Sequence, residues 1–335
     1  MFREAAESPQ RVRAQLAANR EALARLASSL RQQQPRAVVT CARGSSDHAA
    51  TFARYLIETR LGVLTASAAP SVSSVYAAKP DLEGTVFLAI SQSGASPDLL
   101  AAAAAARLAG ARVIALVNAE RSPLAGLAHD LVPLCAGAET SVAATKSFIA
   151  SLAAVTHLVA HWARDGELLA ALEHAPEQLE AAWQLDWQEA ARRLEPARSA
   201  YVIGRGLGLG IAQEAALKLK ETCGLHAEGV SAAEVRHGPM ALVQGGFPVL
   251  VFSQDDETRA GVAALVTDLA ARGADVMLAG ASHARALSLP AVEAHAVIEP
   301  MLIAQSFYRM VNALALARGR NPDAPPNLQK VTETI

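Results

Sequence analysis

Apolar positions along the chain follow two rhythms in succession. Val12, Leu16, Leu23, Leu26 and Leu30 recur at helical spacing, and Pro35 closes the run. Ser8-Pro9 ahead of them reads as an N-cap followed by proline at the first helical position, so the pattern predicts one long amphipathic helix. From Ala37 the rhythm changes to short β-branched runs, Ala37 to Thr40, Thr85 to Ile90 and Arg112 to Val117, separated by alanine-rich helical stretches. Strands alternating with helices predict an α/β fold, a doubly wound parallel sheet flanked by helices, which places ligands at its strand C-termini.

The second half repeats this order, with Tyr201-Val202-Ile203, a helix through Lys220, Pro248 to Phe252, another helix, and Asp275 to Leu278. Arg43-Gly44 after the first strand matches Arg205-Gly206, and Ser91-Gln92 matches Ser253-Gln254, both at an offset of 162 residues. Two landmarks at one offset predict a tandem duplication. The expected layout is an N-terminal helix over 1–35, one domain over 36–165, a helical connector over 166–197, a second domain over 198–320 and a polar tail over 321–335.

Composition narrows the partners. The 335 residues are 52% hydrophobic and carry a formal charge of −2, so no bulk field favours nucleic acid or an anionic membrane, and a small ligand is expected. Cys41, Cys135 and Cys223 lie far apart, which fits neither a disulfide framework nor a thiolate metal site and points to a reducing cytoplasm. Neither a signal peptide nor a membrane span is expected from the apolar runs. Lysine is scarce, five residues against 25 arginines, which draws the eye to Lys146, Lys218, Lys220 and Lys330, with Lys79 standing apart.

Ser91-Gln92-Ser93-Gly94-Ala95-Ser96-Pro97 follows a buried strand and precedes a helix. Hydroxyls, an amide and backbone N–H groups at a helix N-terminus make an anion site, here for phosphate. An ordinary capped turn needs fewer polar groups than these three serines and a glycine. Ser45 and Ser46, after the preceding strand, would add hydroxyls to the same pocket. The second half has Asp255-Asp256 where the first has Ser93-Gly94, and two carboxylates repel a phosphate, so only the first domain is expected to hold one. The run Gly204-Arg205-Gly206-Leu207-Gly208 departs from the dinucleotide fingerprint in spacing, and no acidic residue follows at the ribose-binding distance. His157 and His161 stand at i, i+4 without a third ligand, and His226-Ala227-Glu228 is equally poor metal chemistry, so neither a metal nor any other cofactor is expected.

With Ala215, Leu217-Lys218-Leu219-Lys220-Glu221, His226-Ala227-Glu228, Glu234-Val235-Arg236-His237-Gly238-Pro239 and Asn327-Leu328-Gln329-Lys330, these residues resemble the sugar isomerase (SIS) family. They are most similar to the isomerase half of glucosamine-6-phosphate synthase and, over the whole chain, to stand-alone SIS-type glucosamine-6-phosphate deaminases. The resemblance implies two tandem SIS domains. It also implies Glu221 as the base of a C2-to-C1 proton shift, Lys218 as its neighbouring charge, His237 as the ring-opening group supplied by an adjacent subunit, and Lys330 beside the reactive carbon. Ser45, Ser46, Ser91, Gln92, Ser93 and Ser96 would bind the phosphate. The glutaminase half, which in the synthases opens on a cysteine after the initiator methionine, has no counterpart here, where position 2 is Phe2. The expected reaction is therefore the reverse one, glucosamine 6-phosphate and water giving fructose 6-phosphate and ammonia, in a homodimer with shared sites.

The rivals are a fructosamine-6-phosphate deglycase, a galactosamine 6-phosphate deaminase, another phosphosugar isomerase, and a non-catalytic sugar-phosphate sensor. The presence of Glu221, His237 and Lys330 weighs against the sensor. Pro326 stands where the synthases carry arginine, a departure in the tail.

Overall fold

Among the described residues ten parallel strands form two sheets of five. The computed structural model describes residues 1–330. In the first sheet β1 (Val38–Cys41), β2 (Thr65–Ser67), β3 (Val86–Ser91), β4 (Arg112–Val117) and β5 (Asp130–Pro133) lie in the order β2-β1-β3-β4-β5. In the second, β6 (Ser199–Gly204), β7 (His226–Ser231), β8 (Pro248–Phe252), β9 (Asp275–Ala279) and β10 (Leu287–Leu289) lie in the order β7-β6-β8-β9-β10. The two orders are the same, so the duplication read from two short motifs extends to the whole topology. In each sheet the winding reverses between the first and third strands, β1 and β3 or β6 and β8, and the crevice beyond their C-termini is where such sheets bind ligands.

The central strands are continuous apolar runs because helices cover both faces. Every residue of β3 is buried, and Phe87, Leu99, Val113 and Leu124 share one core. Tyr201, Val249, Leu265 and Val276 occupy the corresponding core of the second sheet. The predicted strand Arg112–Val117 is observed with the same limits. The four edge strands, β2, β5, β7 and β10, were not expected.

The chain folds into two compact units, each discontinuous in sequence. One comprises Gln10–Glu139, Lys146–Glu173 and the described residues from Leu328; the other comprises Met1–Pro9, Thr140–Thr145 and His174–Asn327. The connector is helical, as Gly166–Glu173, Ala175–Gln184 and Gln188–Leu194.

At the N-terminus the expected single helix is corrected. A short helix, Phe2–Ala6, precedes the long one, Ser8–Gln33, and the Ser8 hydroxyl donates to the Ala5 carbonyl at 2.8 Å instead of capping the helix that follows. The long helix's stripe is also committed to the chain itself: Val12, Leu16, Leu23, Leu26 and Leu30 are all buried. Gln15 straps this helix down by donating to the carbonyls of Leu134 (2.8 Å) and Ala150 (2.9 Å). Among the described residues no helix is long and apolar enough to cross a membrane.

Candidate functional site

In the first unit β1 and β3 are neighbours in register, Cys41 opposite Ala89, so the segments that follow them emerge side by side. Gly44 turns the chain in a left-handed conformation (φ 55°) into the helix Ser45–Leu61, and Ser96 leads into the helix Pro97–Leu108. Two helix N-termini thus lie at the C-terminal end of the same sheet, each bringing partial positive charge. Ser45, Ser46, Gln92, Ser93 and Ser96 are all partly exposed there.

Ser91 and Ser93 shape the loop as well as lining it. The Gly94 N–H donates to Ser91 Oγ at 2.9 Å and the Ala95 N–H to Ser93 Oγ at 3.3 Å. Gly94 has φ 62°, and a Cβ there would lie 2.2 Å from Ser122 Oγ, so glycine alone fits. Ser96 makes no side-chain cap bond, which keeps its hydroxyl available. Beneath the loop the buried carboxylate of Asp98 accepts from Arg43 Nε (2.8 Å), pinning a guanidinium beside the serines. Burial pushes the Asp47 carboxyl up, against the pull of His48 and Arg43.

In the second unit, the helix Gly208–Cys223 begins after the Gly206 turn and carries Glu214, Lys218 and Glu221 on one face. Lys218 is fully buried, and its ammonium sits between Glu221 Oε2, in direct contact, and Glu214 Oε1 at 3.5 Å. Glu221 keeps 19% of its side chain exposed while Glu214 keeps 1%, so only the Glu221 end of this triad opens to a ligand. His237 is exposed after the turn Glu234–Arg236. With Arg205, Arg236, Glu257 and Thr258 it lines a cavity of about 390 Å³.

Lys330 is placed in the first unit, where its ammonium lies 3.5 Å from Glu139 Oε2. Glu139 was missed by sequence reasoning. Its buried carboxylate also accepts from Ser147 Oγ (2.6 Å) and the Ser147 N–H (3.3 Å) at the start of the helix Lys146–Ala163. The signal was present in Glu139-Thr140-Ser141-Val142-Ala143-Ala144-Thr145-Lys146, a polar stretch ending on one of the five lysines, directly before a nearly all-buried helix.

Among the described residues no group of three or more His, Cys, Asp or Glu is arranged to hold a metal. His157 and His161 instead face one another, Nε2 to Nε2, at 3.2 Å. Burial, then the charge of His161, then that of Arg20, pull His157 down to about 4.

The structure thus brings Lys218 together with Glu221, places the serines and Gln92 at or just after the C-terminal ends of β1 and β3, and pairs Lys330 with an unforeseen carboxylate. The described residues include all ten of the expected site residues; positions 331–335 of the expected tail lie outside them.

The family model of the SIS domain matches residues 30–161 and 193–316. A glutamine–fructose-6-phosphate aminotransferase (isomerizing) of Aeropyrum pernix is 36% identical over 86% of this chain and 49% of its own length. That of Thermococcus kodakarensis is 32% identical over 98% of this chain and 57% of its own. The chain spans about half the length of the curated relatives it matches. Among solved structures, a candidate phosphosugar isomerase of Silicibacter pomeroyi aligns with TM-score 0.93 and 45% identity over 96% of this chain and 99% of that one. A glucosamine-6-phosphate deaminase of Thermotoga maritima shares the fold at TM-score 0.79 and 23% identity over 99% of both chains.

Proposed function

This chain belongs to the SIS domain family, and from that premise we propose that it is an amino-sugar phosphate deaminase, converting glucosamine 6-phosphate and water to fructose 6-phosphate and ammonia. The observation that carries the reading is the carboxylate of Glu221, partly open and in contact with a fully buried ammonium. Such a group is built to accept and return a proton. The serine loop with its two helix N-termini supports phosphate recognition, and the isomerizing, fructose-6-phosphate chemistry named for the relatives supports the sugar class.

In this reading His237 assists opening of the pyranose ring. Glu221 then takes the proton from C2, the C2–H pair becomes the C1=C2 bond, and the former aldehyde oxygen picks up a proton. Glu221 returns its proton to C1 while the nitrogen lone pair closes C2=N and the nitrogen loses one proton. Water adds to that imine and ammonia leaves. Lys330, held near Glu139, serves beside the reactive carbon.

The test is ammonia release from glucosamine 6-phosphate by the purified protein. Glu221→Gln should lower turnover by roughly two to four decades with little change in KM. No ammonia from the native protein, or undiminished exchange of the C2 proton with deuterated solvent in Glu221→Gln, overturns the reading. A second reading, isomerisation of a phosphosugar without loss of nitrogen, is favoured by the match to the Silicibacter pomeroyi protein, and it appears in the same assay as aldose–ketose interconversion with no ammonia.

We also propose that the active species is a homodimer in which His237 serves the site of the neighbouring copy. Mixing inactive Glu221→Gln and His237→Asn proteins should then restore activity, because some mixed dimers hold one intact site. Two variants that stay inactive after subunit exchange argue against the shared site.

A further inference from the structure

The ammonium of Lys218 contacts the carboxylates of Glu214 and Glu221, and of these two Glu221 alone is open to a ligand. Glu214 and Lys218 are an i, i+4 pair, Lys218 and Glu221 an i, i+3 pair, so one helical face carries the three charges in the order minus, plus, minus. From the facing helix, Glu299–Ala317, the fully buried Tyr308 donates its phenolic O–H to Glu214 Oε1 at 3.0 Å. Tyr308, Glu214, Lys218 and Glu221 therefore form one hydrogen-bonded and ionic chain that runs from the core to the open carboxylate.

A carboxylate that accepts a proton loses its charge. A buried ammonium whose only counter-ion vanishes in this way is left uncompensated, which is costly in a dry interior, and it relieves that cost by moving or by giving up its proton. Glu214 removes the difficulty in advance. When Glu221 goes from charged to neutral and back, the Lys218–Glu214 pair remains plus and minus throughout, and the Tyr308 hydroxyl holds the acceptor oxygen in place.

We propose that Glu214 and Tyr308 are positioning residues of the proton shift: they keep Lys218 charged and in one place through both protonation states of Glu221. The inference rests on Glu221 being the base. Neither residue touches the sugar in this account, so their effect should fall on turnover and leave substrate affinity alone.

The experiment compares Glu221→Gln, Glu214→Gln, Tyr308→Phe and the double variant Glu214→Gln/Tyr308→Phe, each assayed for kcat, KM and C2 proton exchange with deuterated solvent. Glu214→Gln should lower kcat and exchange together by about 100-fold with KM within about threefold, and Tyr308→Phe by roughly tenfold. The double variant should be no slower than Glu214→Gln alone, because Tyr308 acts through Glu214. Tyr308→Phe preserves the ring and its packing, so it carries the test if Glu214→Gln does not fold. A purely structural role would lower the melting temperature and the yield of folded protein while leaving kcat per folded molecule intact, and that result overturns the inference. Glu214→Gln exchanging at the native rate while Glu221→Gln does not exchange sinks the inference alone. Native-rate exchange in Glu221→Gln sinks the underlying reading as well.

Discussion

The loops that follow β3 and β8 start from one ancestral design and use it in opposite ways. After β3, Ser91 and Ser93 fold the loop, and the hydroxyl of Ser96 makes no cap bond to the helix that follows. After β8, the carboxylate of Asp256 fills the equivalent place. One of its oxygens accepts from the Thr258 N–H (2.9 Å) and hydroxyl (2.5 Å), the other from Gln254 Nε2 (2.9 Å). Asp255 is occupied too, by Arg259 at 2.5 Å, while its own N–H donates to Glu299. Both loops thus carry hydrogen-bond donors, but in the second half they are taken by the chain's own carboxylate. Sequence reasoning expected repulsion there; the structure adds that the place is already taken, which is a stronger reason for a ligand not to bind.

Moving a charge into the first loop should break this contrast most severely. Ser93→Asp sets a carboxylate against the phosphate, and at a separation of about 4 Å the repulsion is of order 4 kcal/mol, so sugar-phosphate affinity should fall by well over 100-fold. Equilibrium binding of glucosamine 6-phosphate measures it, and unchanged affinity would remove the phosphate assignment.

Acid should expose another asymmetry, since the pair of buried His157 and half-buried His161 belongs to the first unit. His157 is held at about 4 in the folded protein against an ordinary value of 6.5, so the unfolded chain binds its proton first as the pH drops. Stability is complete above 6.5 and is lost between 6.5 and about 4, by roughly 3 kcal/mol from this group. Arg20 and Arg31 on the long N-terminal helix oppose protonation and Glu173 favours it, so the neighbours that face the pair are included in this sign. Denaturant titrations at pH 7 and pH 4 test it, and His157→Gln should flatten the difference.

Removing the internal anion is a gentler change. Asp256→Ala frees Gln254 and Thr258 to take an external one, and calorimetry with inorganic phosphate should reveal a second, weaker equivalent absent from the native protein. Asp255→Ser should do least: turnover is expected within about twofold of native, because exposed ion pairs such as Asp255–Arg259 contribute little. A large loss there would mean that the second half binds a ligand of its own.

Much of this was legible in the residues, and the gaps have physical causes. β3, β4, β8 and β9 are buried β-branched runs, and their pattern declares them. β7 reads His226-Ala227-Glu228-Gly229-Val230-Ser231, a sequence with little strand character that is held extended by pairing along β6. β2 and β10 are three residues each, too short for any alternation to register. At the site, Glu221 and Lys218 stand three apart on a helix, so their meeting follows from periodicity. Glu139 and Lys330 do not share an element, and only the folded chain brings that carboxylate to that ammonium. Tyr308 was hidden for the same reason, as one more apolar-looking position in a buried helix.

That same pair sets a schedule for biosynthesis. The path of the backbone leaves the first unit at Glu139, re-enters at Lys146, departs again at Glu173 and comes back only at Leu328. Glu139 therefore waits through 191 residues of translation before Lys330 can reach it, although its sheet is complete as soon as β5 is made. At ribosomal speeds of about 5–20 residues per second this is a delay of roughly 10–40 s. During that interval the nascent chain holds every strand of the first sheet while the Lys330 contact to Glu139 is still to be made. The first unit therefore gains this lysine contact only when synthesis of the second is over, at the added cost of closing a long loop.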